Sequence, residues 1–174
     1  HHQKSHDGAN LPLLQSHLND MFQLLLEEEE DNIPQHATRH VLDAMPACLE
    51  FFLSDDIPRE LFKCAQQDYP VGMRRVVVLG FSSYLRNSRI ALLPNTRIYQ
   101  PLSTFFSHLS SAHNDTPQAD SVVLLESVVD QLCSVRDHVS FFLIHDNDGT
   151  SVKQSPLLDC FLSLLPHSAR AKRL

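Results

Sequence analysis

The sequence predicts an all-α fold, an α-solenoid-like array of short antiparallel helices, and three observations carry this expectation. The 174 residues include only 4 Gly against 10 Pro, where average usage gives roughly 12 Gly. Glycine-dependent hairpin turns and phosphate-cradling loops are therefore disfavoured. Apolar residues recur every three or four positions in one segment after another, the period of an amphipathic helix. Finally, Pro12, Pro46, Pro58, Pro70, Pro101, Pro117 and Pro156 fall at or near the starts of those segments, where a missing N–H costs nothing.

Residues 1–10 read as a polar, flexible tail. Residues 11–165 read as one helical, solenoid-like domain, the N-terminal part of a longer parent, and 166–174 as a basic tail. The first helix begins at Leu11, with Leu14, Leu18, Met21, Phe22 and Leu25 on one stripe. The run Glu27 to Asp31 lies at its C-terminal end, where anions oppose the helix dipole. That predicts fraying and then a loop to about Gln35. A short helix over 37–44 follows, then one over 47–53 with Pro46 at its first position. Ser54, Asp55, Asp56 and Pro58 form a helix-start signal for 58–67. Residues 69–72 are a loop. Prolines 34, 46, 58 and 70 fall twelve apart, but the blocks between them are not alike, so this is no clean repeat.

Residues 73–86 admit two readings. Val76, Val77, Val78 and Leu79 resemble a buried strand, whereas Met73, Val77, Gly80, Phe81, Tyr84 and Leu85 share a helical face; the length of the pattern favours helix. Further helices are expected over 98–109 (Leu102, Phe105, Phe106, Leu109), 118–135 (Val122, Leu125, Val128, Val129, Leu132), 138–144 and 156–165. Turns are expected at 113–117 and 146–150.

Composition bounds function. Hydrophobic content of 43% supports a real core, and a net charge of -7 provides no overall basic footprint for nucleic acid. The cysteines, Cys48, Cys64, Cys133 and Cys160, form no CxxC pair and read as reduced core residues of a cytoplasmic protein. No apolar run is long enough to span a bilayer, and the N-terminus lacks a signal-peptide core.

The search for chemistry yields no catalytic, cofactor or metal residues. His36 and His40 have helical ligand spacing but lack the Glu of HExxH and a third ligand. Asp146 to Gly149 resembles part of a calcium loop, yet that register puts Ile144 at the first ligand position and Ser155 at the twelfth. Gly80-Phe81-Ser82-Ser83-Tyr84 lacks the second glycine of a nucleophile elbow. Two features bear on binding. The acidic run Glu27 to Asp31 reads as a solvated loop, with a docking site for a basic partner as the alternative. Each of the pairs Phe51-Phe52, Phe105-Phe106 and Phe141-Phe142 is expected to send one ring to the core; core packing is the favoured reading for the other too, with a groove or an exposed patch as the alternative.

Several stretches occur in a recognisable order: Leu18 to Glu30, Met45-Pro46-Ala47-Cys48 to Leu53, Tyr69-Pro70-Val71-Gly72-Met73-Arg74, Leu92-Leu93-Pro94 followed by Tyr99 to Leu102, and Arg136 to Leu143. This order resembles the N-terminal region of the FTS- and Hook-interacting proteins (the FHIP family) over about residues 11–145. Residues 31–44 depart from the pattern. The resemblance implies a helical scaffold and favours helix for Val76 to Leu79. It also implies a non-catalytic adaptor that joins a Hook-type coiled-coil adaptor, an FTS-like protein and a Rab-type GTPase, linking endosomes or other vesicles to dynein transport. Two alternatives stand beside it. One is a helical-repeat scaffold of another trafficking or regulatory complex. The other is an α/β hydrolase-like fragment, with 76–79 as a strand and Ser82 as nucleophile.

Overall fold

The computed structural model describes residues 11–32, 45–111 and 119–134. Within them the chain forms α1 (Leu11–Asn32), α2 (Ala47–Ser54), α3 (Ile57–Gln67), α4 (Met73–Asn87), α5 (Thr96–Ser111) and α6 (Ala119–Ser134), and no strand. The segments expected at 37–44, 138–144 and 156–165 lie outside the described residues. So do both tails, the turns at 113–117 and 146–150, His36, His40, Cys160 and the pair Phe141-Phe142.

The strand-like run is helical, as its length indicates, and packing explains its composition. Helix α4 touches α1, α3 and α6, so little of its circumference meets water. Val77, Val78, Phe81, Tyr84 and Leu85 are fully buried. Three consecutive valines are compatible with a helix when neighbours cover it on several sides. Ser82 is buried inside this helix and donates its hydroxyl to the Val78 carbonyl at 2.6 Å. It therefore does not sit on a strand-to-helix elbow, and the hydrolase-like reading falls with the strand it required.

A ladder of rings ties the layers together. Phe22 of α1 meets Phe52 of α2 at 6.2 Å between ring centroids and stacks on Tyr84 at 5.4 Å. Phe81 meets Phe62 of α3 at 4.9 Å, and Phe62 meets Phe105 of α5 at 5.3 Å. Phe22 comes close to α4 because residue 80 is glycine. A Cβ there would lie 2.9 Å from the Phe22 ring. The two described aromatic pairs realise different readings: one leaves a ring exposed and the other packs both rings in the core. Phe52 is buried and Phe51 exposed, whereas Phe105 and Phe106 are both buried: Phe105 meets Phe62 of α3, and Phe106 meets Phe105 edge-on within the same core.

Other expectations are corrected. Helix α1 continues to Asn32 without fraying. Pro46 precedes α2 as its cap residue instead of opening it, and Pro101 lies inside α5. Helix α5 starts earlier because Asn95 caps it, its side-chain oxygen accepting the Arg97 N–H at 2.9 Å. The buried face of α6 is Leu124, Leu125 and Val128 with Ser121, Ser127 and Gln131, turned away from Val122 and Val129. Cys48 and Cys133 are exposed, so these two thiols are not core residues, whereas Cys64 is half-buried and packs against the edge of the core.

The turn from α3 to α4 is a reciprocal clamp. Asp68 ends α3 in the left-handed region, φ 49°, and Gly72 has φ 93°. The Asp68 carboxylate accepts the N–H groups of Gly72 at 3.1 Å and Arg74 at 2.9 Å, holding the start of α4. The Arg74 guanidinium donates to the carbonyls of Ala65 at 3.0 Å and Gln66 at 3.1 Å, holding the end of α3. Anion at a helix start and cation at a helix end both suit the dipoles.

Two substitutions test these contacts. Gly80→Ala gains about 1 kcal/mol of helix propensity, but overpacking against Phe22 costs about 1–3 kcal/mol. Urea unfolding should show net destabilisation that Phe22→Leu in the same chain relieves. Asp68→Ala should lose about 1–2 kcal/mol. Asp68→Asn keeps an acceptor and tolerates the left-handed backbone, so it should lose clearly less in the same measurement.

Candidate functional site

The acidic end of α1 holds because its carboxylates are used by other helices. Helix α2 begins after Pro46 with no side-chain cap of its own. Glu28 supplies one across the interface, both carboxylate oxygens accepting the Cys48 N–H at 2.9 and 3.1 Å. Glu29, one residue on and about 100° round the helix, turns inward and is 1% exposed. Its Oε1 accepts the hydroxyls of Tyr84 at 3.1 Å and Ser88 at 3.0 Å, and its Oε2 accepts the Arg89 N–H at 2.9 Å. The same corner is held from the other side by α6. There Gln131 donates its side-chain amide to the carbonyls of Leu85 and Ile90, both at 3.2 Å.

Burial pushes the Glu29 carboxyl above its ordinary value, against the hydrogen bonds from Arg89, Ser88 and Tyr84 that pull it down. Burial likewise raises the Tyr84 phenol, and the Glu29 charge raises it further. Tyr84 therefore serves as a fixed proton donor to Glu29. These groups close a helix corner and leave no free base or nucleophile there. Cys48, although exposed, has its thiol raised by local desolvation and then by Glu28, which disfavours the reactive thiolate.

The outward face of α1 has a different character. Leu13, His17, Asp20, Leu24, Glu27 and Asp31 recur at helical spacing and are all exposed. Leu13 is 57% and Leu24 60% exposed, and Phe51 on α2 is 59% exposed. The contacts Glu28–Cys48 and Phe22–Phe52 run in opposite chain directions, so α1 and α2 are antiparallel and Leu24 stands level with Phe51 along the seam. Glu28 and Cys48 share their helix faces with these two residues. Neither helix contains Lys or Arg. Elsewhere, a groove of about 370 Å³ lies between α3 and α5, with Arg59, Lys63, Gln66 and Gln100 in its lining. Among the described residues no three His, Cys, Asp or Glu side chains gather into a metal site, and no helix is long and apolar enough to cross a membrane.

The acidic run is thus neither frayed nor a loop. Its inward member was legible, since Leu18, Phe22, Leu25 and Glu29 continue one stripe. The roles of Glu28 and Phe51 depend on α2 lying alongside, for which the sequence holds no signal.

Glu29 makes two predictions. Glu29→Ala removes the acceptor of the buried Tyr84 and Ser88 hydroxyls and of the half-buried Arg89 N–H and should cost about 2–3 kcal/mol, whereas Glu29→Gln keeps an acceptor and should cost less. Because the native carboxyl holds its proton more tightly than the unfolded one, its contribution is fully present below the ordinary carboxylate range and is lost as pH rises through the raised native value. Urea unfolding across that range should show wild type losing stability relative to Glu29→Gln as pH increases.

No solved structure matches the chain. A family model does, over residues 48–170, well over half of the sequence. It is the RAI16-like family, described as retinoic acid induced 16-like protein, and it corrects the assignment to the FHIP family. Two of the stretches that suggested that assignment serve packing and turns: Tyr69 to Arg74 is the α3–α4 clamp, and Leu92 and Leu93 are buried. Such residues describe how short helices stack and do not by themselves separate one helical family from another. The chain belongs to the RAI16-like family.

Proposed function

We propose that this chain is part of a non-catalytic helical scaffold whose business is binding other proteins. One contrast supports the reading above all others. Among the described residues every buried side-chain nitrogen and oxygen has a hydrogen-bond partner: Glu29 and Gln131 join helices, and Ser82 and Ser127 bond within their own. Meanwhile large apolar residues, Leu13, Leu24, Phe51, Tyr69 and Val71, face outward. Interior chemistry serves the frame, and the outer surface is what the molecule offers.

The finer form of the proposal is an adaptor that links endosomal or other vesicle cargo to dynein transport through a Hook-type coiled coil, an FTS-like protein and a Rab-type GTPase. It rests on the order of sequence stretches alone. Tagged parent protein, recovered from cells under gentle lysis, should bring down the Hook-type and FTS-like proteins together. Recovery of neither, alongside a positive control that captures both, would remove the trafficking form. A stable set of other co-purifying proteins would still support a scaffold.

A further inference from the structure

We propose that the outer seam between α1 and α2 docks a basic amphipathic helix of a protein partner; this deepens the scaffold reading and rests on it. The anchors are Leu24 and Phe51, level with each other on antiparallel helices and each more than half exposed. Leu13 continues the Leu24 stripe eleven residues earlier, about 16 Å along the axis. That spacing suits a partner helix offering apolar side chains at every third or fourth position.

Charge selects the occupant. Asp20, Glu27, Asp31 and Glu50 are exposed on these two helices, and neither helix has a Lys or Arg to balance them. A partner with Lys and Arg beside its apolar stripe meets an opposite potential, which speeds and orients encounter. An anionic membrane surface is repelled by the same face. A second copy presenting this face would set like charges against each other. The groove between α3 and α5 is the weaker candidate: its cations are already paired, Arg59 with Asp56 at 3.0 Å and Lys63 with Glu60 at 3.4 Å.

The test uses the 174-residue chain and a fluorescent synthetic helix with leucines at i, i+3, i+4 and i+7 and lysines on its flanks. Two control peptides replace every lysine by glutamate or scramble the order. Fluorescence anisotropy should show binding of the lysine helix alone, weakening as salt rises from about 50 mM to about 300 mM. Phe51→Ser and Leu24→Ser should each weaken it about tenfold without changing the circular dichroism spectrum. Glu27→Gln with Asp31→Asn should flatten the salt dependence, and Lys63→Ala should change nothing. Binding indifferent to Phe51, equal binding of the glutamate peptide, a Phe51-dependent dimer in sedimentation, or no binding would each overturn the docking proposal. Co-precipitation from the parent protein judges the scaffold reading separately, because it counts partners held by any surface.

Discussion

A short helix leaves as many unpaired backbone groups at its ends as a long one: four N–H at the start and four C=O at the finish. The six helices of the described residues, 8 to 22 residues long, therefore expose many such groups for little helical interior. This protein meets the constraint by lending side chains from one helix to the end of another. Glu28 of α1 caps α2, and Glu29 with Gln131 closes the end of α4. Asp68 and Arg74 join α3 to α4. Arg97 of α5 donates to the carbonyls of Leu53 at 2.8 Å and Ser54 at 2.9 Å, at the end of α2. Stacking and capping are thus the same set of contacts, and a helix that leaves the stack loses its ends as well.

That coupling explains what the sequence could and could not convey. Apolar periodicity located the helices well, including α4, because burial of one stripe is written in single residues at fixed spacing. It misplaced the face of α6, because Gln131 points inward to serve two carbonyls of another helix, and no polar residue announces that from its neighbours. It misread the end of α1 for a related reason. The dipole argument weighs four glutamates against their own helix, whereas two of them answer to α2 and to the end of α4. Local rules describe a helix alone, and here the exceptions are the residues shared between helices. The cysteines fail for the opposite reason: their preference for burial is a tendency of the residue type, which packing is free to ignore.

The outer seam follows from the same economy. With Glu28 committed to α2 and Glu29 buried, Asp20, Glu27 and Asp31 of α1 face solvent beside Leu24 and Phe51, and among the described residues the cations lie from α3 onward. Ion pairs link some of those cations back across the array, Arg89 to Glu30 at 4.0 Å and Arg86 to Glu126 at 3.6 Å. All are partly exposed, so they contribute little to stability. Neither pair reaches Asp20, Glu27, Asp31 or Glu50, the exposed acids of α1 and α2 beside the seam.

Glu28 and Glu29 are consecutive, yet each is spoken for by a different neighbour roughly a quarter-turn apart. Helix α1 thereby behaves as a key cut on two edges. Adding or deleting one residue between Phe22 and Glu28 would rotate the acidic end by about 100° relative to the aromatic bit. Neither carboxylate would then reach its lock, although every residue type were retained. Length variation among related chains should consequently avoid this stretch of α1, and any circular permutation or insertion designed into the protein should leave its phase untouched.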